Sequence, residues 1–90
     1  MSVAGIVITY NPDEKFGERL QAIASECRSV YIIDNGSAPA VLQVLRNAAK
    51  AAKAKLIELG ENTGIAHAQN VGLTLAFKNK IDAAILFDHD

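Results

Sequence analysis

The sequence predicts an α/β fold in three layers, in which a mostly parallel sheet lies between helices. Four short apolar segments alternate with three longer segments in which apolar residues recur every three or four positions, and this alternation is typical of such folds. Three of the apolar segments contain almost no polar residues, as expected for strands buried on both faces. The 90 residues, half of them hydrophobic, suffice for one core and therefore for one domain.

The four apolar segments are the predicted strands. Residues 3–9, 30–33 and 83–87 are nearly continuous in apolar side chains, so we expect both faces of these strands to be buried. Residues 55–59 include polar positions, which favours a strand at the edge of the sheet.

The first predicted helix begins at Asn11, whose side chain accepts a hydrogen bond from the Glu14 N–H, and Pro12 takes the first helical position. Its apolar stripe is formed by Phe16, Leu20, Ile23 and Cys27. The other two helices are expected after Pro39 and after Asn62 or Thr63. Their inward positions are residue 41 or 42, Leu45, Ala49 and Ala52 in the second helix, and Ile65, Ala68, Gly72 and Ala76 in the third.

Charge and hydropathy exclude several classes of function. Nine Lys and Arg balance ten Asp and Glu, which leaves no basic stripe of the kind that nucleic acid requires. No apolar run approaches the roughly 20 residues that cross a bilayer, and no signal-peptide pattern opens the chain. The single Cys27 cannot form an internal disulfide and is interpreted as a small core residue. These observations predict a cytoplasmic protein that does not bind nucleic acid.

Polar residues gather at the carboxyl end of each predicted strand, in residues 9–11, 34–37, 60–64 and 88–90. Parallel strands share one carboxyl edge, and open α/β sheets bind ligands in the crevice beyond it. We therefore expect one site there, although ordinary polar turns would explain any single cluster equally well.

The glycine-rich phosphate loops of dinucleotide-binding and P-loop proteins are absent after the first strand, which continues as Thr-Tyr-Asn-Pro. A bound pyrophosphate would then need another source of positive charge. Asp88 and Asp90 offer a divalent metal site, since residues two apart in an extended segment point to the same side. A solvated turn is the alternative for this D-x-D sequence. His89 would point away.

Three further polar residues are candidates for the site. Asp34 could accept a hydrogen bond from a nucleobase or a ribose, or simply open a turn with Asn35 and Gly36. Asn70 could reach the crevice from the third helix. His67, in the first turn of that helix, could approach a phosphate, but it is interpreted as a solvent-facing residue.

Taken together, residues 7–12, 32–37, 61–72 and 86–90 resemble family 2 glycosyltransferases of the GT-A fold, and most closely their bacterial rhamnosyltransferase branch. The resemblance implies a Rossmann-like sheet in the order 3-2-1-4. It also implies that residues 1–90 are the nucleotide-sugar-binding N-terminal part of a longer glycosyltransferase domain, ending at the D-x-D motif.

The resemblance also implies roles for individual residues. Thr9, Tyr10, Asn11 and Asp34 would hold the base and ribose of the donor, with Asn62 and Asn70 near the base and diphosphate. Asp88 would lie near the ribose, and Asp90 would ligate manganese or magnesium. No residue of this stretch matches the family's general base, so the 90 residues alone are expected to be inactive.

Several partners follow from the same resemblance. The donor would be a nucleoside diphosphate sugar, thymidine diphosphate rhamnose by analogy, and the acceptor a cell-surface or lipid-linked glycan. The reaction would invert the anomeric centre, at the inner face of the membrane in the full-length enzyme. The fourth strand would lie at an open edge, which favours self-association.

Two alternatives stay open. A non-enzymatic α/β module could use the same crevice to bind a nucleotide or a protein. A sugar nucleotidyltransferase is a weaker alternative, because its basic, glycine-rich loop is absent after the first strand.

Overall fold

Residues 2–88, apart from the side chain of Asp88, are described by a computed structural model. Helices and strands alternate along the chain as β1 (Val3–Thr9), α1 (Phe16–Glu26), β2 (Ser29–Asp34), α2 (Pro39–Ala52), β3 (Lys55–Glu58), α3 (Ile65–Lys78) and β4 (Ala83–Asp88). The four strands form one sheet in the order β3-β2-β1-β4, and every neighbouring pair is parallel. The predicted fold class and strand order are confirmed.

The core has two halves because successive side chains of a strand point to opposite faces of the sheet. On one face, Ile6 and Ile33 pack with residues of α3. On the other face, Val7 and Ile32 pack with residues of α1 and α2. Burying each of these side chains contributes about 1.5–3 kcal/mol. The helices therefore sandwich the sheet in the predicted three layers.

The small residues of α3 bring this helix close to the sheet. Ala68 and Ala76 are fully buried, and a Cβ placed on Gly72 would overlap the γ-methyl group of Ile6. These three inward positions are as predicted. The fourth, Ile65, was wrongly expected to face inward: it is 48% exposed, because α3 begins with it and the first buried residue follows one turn later.

The start of α1 also differs from the prediction. The helix begins at Phe16 and not after Asn11, and its N-cap residue Lys15 makes no side-chain capping bond. Asn11 has a φ of 45°, and its side-chain oxygen accepts the Ala38 N–H at 2.8 Å. A bond between two loops has replaced the expected local cap. The apolar stripe is nonetheless confirmed, since Phe16 and Leu20 are buried and the remaining two members are half-buried.

The second helix agrees with its predicted inward face. It begins at Pro39 in the first turn, where proline is pre-organised for helix and needs no N–H partner. Leu45 and Ala49 are buried, and residues 41, 42 and 52 are half-buried. Among residues 2–88, no helix combines the length and the apolar character that a membrane span would need.

Within residues 2–88, each outer strand of the sheet pairs on one side only. β3 pairs with β2, which confirms the predicted edge at residues 55–59. β4 pairs with β1 and carries Ile85 and Leu86, which are 48% and 44% exposed. Consecutive residues of a strand face opposite sides of the sheet, so this edge is apolar on both faces of the sheet. Such an edge can accept another strand.

Replacing Gly72 tests the close contact of α3 with the sheet. We expect Gly72→Ala to lower the free energy of unfolding by about 1–3 kcal/mol, because the added methyl group overpacks the core against Ile6. Gly17→Ala is the matched control, since nothing lies within 4 Å of a Cβ there. Removing a helical glycine should raise stability by roughly 0.5–1 kcal/mol. Urea denaturation measures both, and equal midpoints would contradict the packing account.

The open edge at β4 predicts self-association. Sedimentation equilibrium should show a weight-average mass that rises with protein concentration, and Ile85→Lys should abolish the rise because a charged edge resists strand pairing. Val44→Lys is the control, because Val44 is 61% exposed on a helix and offers no backbone pairing. A single monomeric species at high concentration would sink this prediction.

Candidate functional site

The strands end together at one side of the sheet, here called the carboxyl edge and defined by Thr9, Asp34, Glu58 and Asp88. Thr9 is in register with Asp34, and Asp34 with Glu58. On the other side of β1, Asp88 is in register with Ile8. The polar clusters that follow β1, β2 and β3 are therefore brought to one edge, as expected from the sequence. Of the cluster at 88–90, only the backbone of Asp88 belongs to the described structure.

Asp34 is the centre of this edge and is fully buried. Its Oδ1 accepts hydrogen bonds from the Thr9 hydroxyl at 2.8 Å and from the Ser37 hydroxyl. Its Oδ2 accepts the N–H groups of Ser37 at 2.8 Å and of Gly36 at 3.2 Å. These bonds engage the roughly four acceptor positions that a carboxylate offers. Asp34 thus opens a turn, and a ligand can bond to it only by displacing one of these donors.

Asn11 links the loop after β1 to the loop after β2. Its N–H donates to the Ser37 hydroxyl at 2.8 Å, and its side-chain oxygen accepts the Ala38 N–H at 2.8 Å. Asparagine is among the few residues that tolerate a positive φ, so the sequence suits this position. The predicted site residue Asn11 therefore shapes the crevice from within, while its neighbour Tyr10 is 46% exposed.

Asn35 links the loop after β2 to the segment before α3. Its side-chain oxygen accepts the N–H and the hydroxyl of Thr63 at 2.8 and 3.0 Å. Its side-chain nitrogen donates to the Asn62 side-chain oxygen at 3.4 Å. Its own N–H donates to the Thr9 carbonyl at 2.8 Å. One buried residue thus joins β1, β2 and the segment before α3.

Gly36 allows the same two segments to approach each other. It has a φ of 100°, and a Cβ there would lie 2.7 Å from the Glu61 carbonyl carbon and 2.8 Å from the Asn62 nitrogen. Any side chain would push the segments apart. The sequence placed residues 34–37 in one of the polar clusters expected at the site, but it gave Asn35 and Gly36 only a turn role and Ser37 no individual role. The signal was the Asp-Asn-Gly-Ser turn directly after a buried strand.

Asn70 lies apart from this network. It borders an open groove between α3 and β3, together with Ile57, His67, Val71, Thr74 and Leu75. His67 is exposed, in agreement with its interpretation as a solvent-facing residue. Asn62, by contrast, is held in the network, where its side-chain oxygen also accepts the Gly64 N–H at 3.0 Å.

The D-x-D motif falls at the margin of what the structure describes. The backbone of Asp88 ends β4 at the carboxyl edge, whereas the Asp88 side chain, His89 and Asp90 lie outside the described residues. Among the side chains of residues 2–87, no three from His, Cys, Asp or Glu are grouped closely enough to hold a metal ion.

Two carboxylates near this edge have a lowered pKa. The Lys15 N–H, and then the Arg19 guanidinium, hold the pKa of Asp13 below its usual value. Two hydrogen bonds from Arg46, at 2.9 and 2.8 Å, lower the pKa of Glu58. Both groups are exposed, so these pairs add little stability. Each carboxylate is paired with an arginine, so the two pairs add no net charge to this side of the sheet.

Comparison with known proteins agrees with this geometry. The chain is similar to the dTDP-rhamnosyl transferase RfbF of Shigella flexneri, with 32% identity over 93 residues that take in 99% of this chain. Its fold superimposes on the crystal structure of S. aureus TarS with a TM-score of 0.71 over the whole chain, at 24% identity. The chain has a GT-A-like glycosyltransferase fold. No family profile matches it.

The GT-A-like resemblance inferred from the four motif segments is thereby confirmed. The chain spans 29% of the length of RfbF and 17% of the TarS chain. The matched region contains the carboxyl edge with its three linked loops.

Removing the Asp34 carboxylate should disrupt the carboxyl edge as a whole. We expect Asp34→Ala to lower the free energy of unfolding by roughly 2–4 kcal/mol, because a buried N–H, a partly buried N–H and two hydroxyls lose their acceptor. Glu14→Ala is the control, since Glu14 is exposed in the loop before α1 and its removal should matter by less than about 0.5 kcal/mol. Chemical denaturation followed by circular dichroism measures both, and similar midpoints for the two variants would contradict the central role of Asp34.

Proposed function

We propose that the carboxyl edge binds the nucleoside diphosphate part of a sugar donor, and that the protein transfers the sugar to a glycan acceptor. The observation that carries the proposal is the similarity to RfbF over 99% of this chain. The position of the polar loops agrees with it, since open α/β sheets bind ligands beyond the carboxyl ends of their strands. A non-enzymatic module could use the same crevice, but it would not account for the similarity to RfbF.

The loop after β1 is proposed to receive the base. Tyr10 is 46% exposed at this edge, so its ring is available for stacking. Thr9 is fully buried and donates its hydroxyl to Asp34, which suits a supporting role beneath the base. Asp34 and Asn11 shape the same crevice. If the ligand displaced the hydrogen bond from the Thr9 or Ser37 hydroxyl, Asp34 would accept a hydrogen bond from a base N–H or a ribose hydroxyl.

The segment before α3 is proposed to face the diphosphate. It contains the exposed Asn62, and the helix that follows begins without a side-chain cap. The positive end of the α3 dipole therefore lies near this loop and favours negative charge. Asn70 is proposed to contact the donor from the groove between α3 and β3, one turn further along the helix.

A manganese or magnesium ion is proposed at Asp88 and Asp90. Carboxylate oxygens suit these hard cations, and the backbone of β4 brings Asp88 to the carboxyl edge. When bound, such an ion supplies positive charge that stabilises a leaving diphosphate. The side chains of this chain would hold and orient the donor, and no residue of the chain matches a general base.

The donor sugar and the setting are proposed by analogy. Because RfbF is a dTDP-rhamnosyl transferase, thymidine diphosphate rhamnose is the first donor to test. Inversion at the anomeric carbon, as in family 2 enzymes, is proposed on the same ground. A cell-surface or lipid-linked glycan acceptor is also proposed by analogy, as is a cytoplasmic location at the inner face of the membrane.

The test is an amide NMR titration of this chain with thymidine, uridine and guanosine diphosphates, with and without Mg²⁺. Shifts that require Mg²⁺ and cluster at residues 9–11, 34–37 and 61–65 are expected for one base in preference to the others. No shift at millimolar ligand, or shifts scattered over the surface, would overturn donor binding by this chain.

Tyr10 should contribute most of the base affinity. Tyr10→Ala is expected to raise the Kd about tenfold, which corresponds to the loss of one base–aromatic stacking contact. Phe77→Ala is the matched control, because Phe77 is a 55% exposed aromatic residue near the far end of α3. Calorimetry measures both affinities. Equal losses in the two variants would show that the base does not stack on Tyr10.

A further inference from the structure

Asn35 is a buried amide side chain whose contacts all reach beyond its own turn. It is 5% exposed, yet it opens no helix and lies in no strand. Its side-chain oxygen receives both donors of Thr63, and its backbone N–H is bonded to the Thr9 carbonyl. The residue therefore ties the segment before α3 directly to the end of β1.

Within the described structure, few other hydrogen bonds fix the segment before α3. Residues 61–64 form no regular secondary structure, and all but Thr63 are exposed. Gly60 and Gly64, which flank and end the segment, have φ values of 84° and 87°, so its backbone is bounded by conformationally permissive residues. Within the segment, the Asn62 side chain accepts the Gly64 N–H. The Asn35 amide and the close approach at Gly36 connect the segment to the turn after β2.

We propose that Asn35 is a positioning residue for the donor, which orders residues 61–64 and the start of α3 before the nucleotide binds. This inference rests on the proposed function of the carboxyl edge. A loop that is already ordered costs less conformational entropy when the ligand arrives. Asn35 acts through Thr63 and Asn62, and the ligand need not touch it.

The test compares Asn35→Ala with Asn79→Ala. Asn79 is a matched asparagine near the opposite edge, where its amide donates to the Tyr31 hydroxyl at 3.1 Å and to the Leu75 carbonyl at 2.9 Å. The probe is thymidine diphosphate with Mg²⁺, and the readouts are the Kd and the hydrogen exchange of individual amides. Asn35→Ala should raise the Kd about tenfold, as expected for the loss of buried hydrogen bonds, and should speed exchange at Thr63 and Gly64. Asn79→Ala should leave the Kd within about twofold.

Two further variants separate positioning from folding. Asn35→Asp keeps an acceptor for both Thr63 donors and should restore slow exchange at the Thr63 amide. Thr63→Val replaces Asn35→Ala in the test if Asn35→Ala does not fold. It removes only one hydroxyl bond, so it should fold and should raise the Kd about threefold.

The outcomes distinguish this inference from the function on which it rests. If the wild-type chain binds the probe and Asn35→Ala binds equally well, the positioning role is overturned and the proposed function stands. Equal losses of affinity in Asn35→Ala and Asn79→Ala would also overturn it, since both would then reflect general stability. If the wild-type chain shows no binding, both proposals fail together.

Discussion

The buried carboxylate of Asp34 sets the constraint on which the carboxyl edge depends. A charge removed from water must be met by hydrogen bonds, and here Thr9, Ser37 and Gly36 supply them. Each of these partners is thereby fixed. The Ser37 hydroxyl in turn accepts a hydrogen bond from the Asn11 N–H. The hydrogen bonds that stabilise one carboxylate therefore order two loops. Asn35, the next residue along the chain, extends the order to a third.

The sheet makes this arrangement possible by delivering the three loops to the same place. Parallel pairing aligns Thr9 with Asp34, which puts the threonine hydroxyl within reach of the carboxylate. The tight packing of α3 through Gly72 brings the segment before that helix close to the turn after β2. Core packing and the polar network therefore support each other, and the crevice is formed by backbone loops and not by long flexible side chains.

Most of the fold could be predicted because hydrophobic periodicity reports burial directly. The strands, the buried stripe of α1 and the small residues of α3 were recognisable from spacing alone. The prediction failed where a distant partner outcompeted a local one. Asn11 was expected to cap a helix within its own segment, but its side chain bonds to Ala38, 27 residues away. Spacing along the chain carries no information about such partners.

The same reason explains what was missed at the site. Asn35 and Ser37 look like ordinary turn residues, and their importance lies in bonds to residues 26 to 28 positions away. Asn70 was placed correctly on α3, but the sequence did not indicate that it would border the groove beside β3. The convergence of polar clusters at the strand ends was the most reliable guide, because it follows from the topology of a parallel sheet.

Donor binding at the carboxyl edge can be observed by an isotope-filtered NOE experiment on the complex of this chain with thymidine diphosphate and Mg²⁺. We expect contacts from the base protons to Tyr10 and Asn11, at the carboxyl edge of β1. Contacts from the base to Thr74 and Leu75 in the groove of α3, with none to the loop after β1, would contradict it.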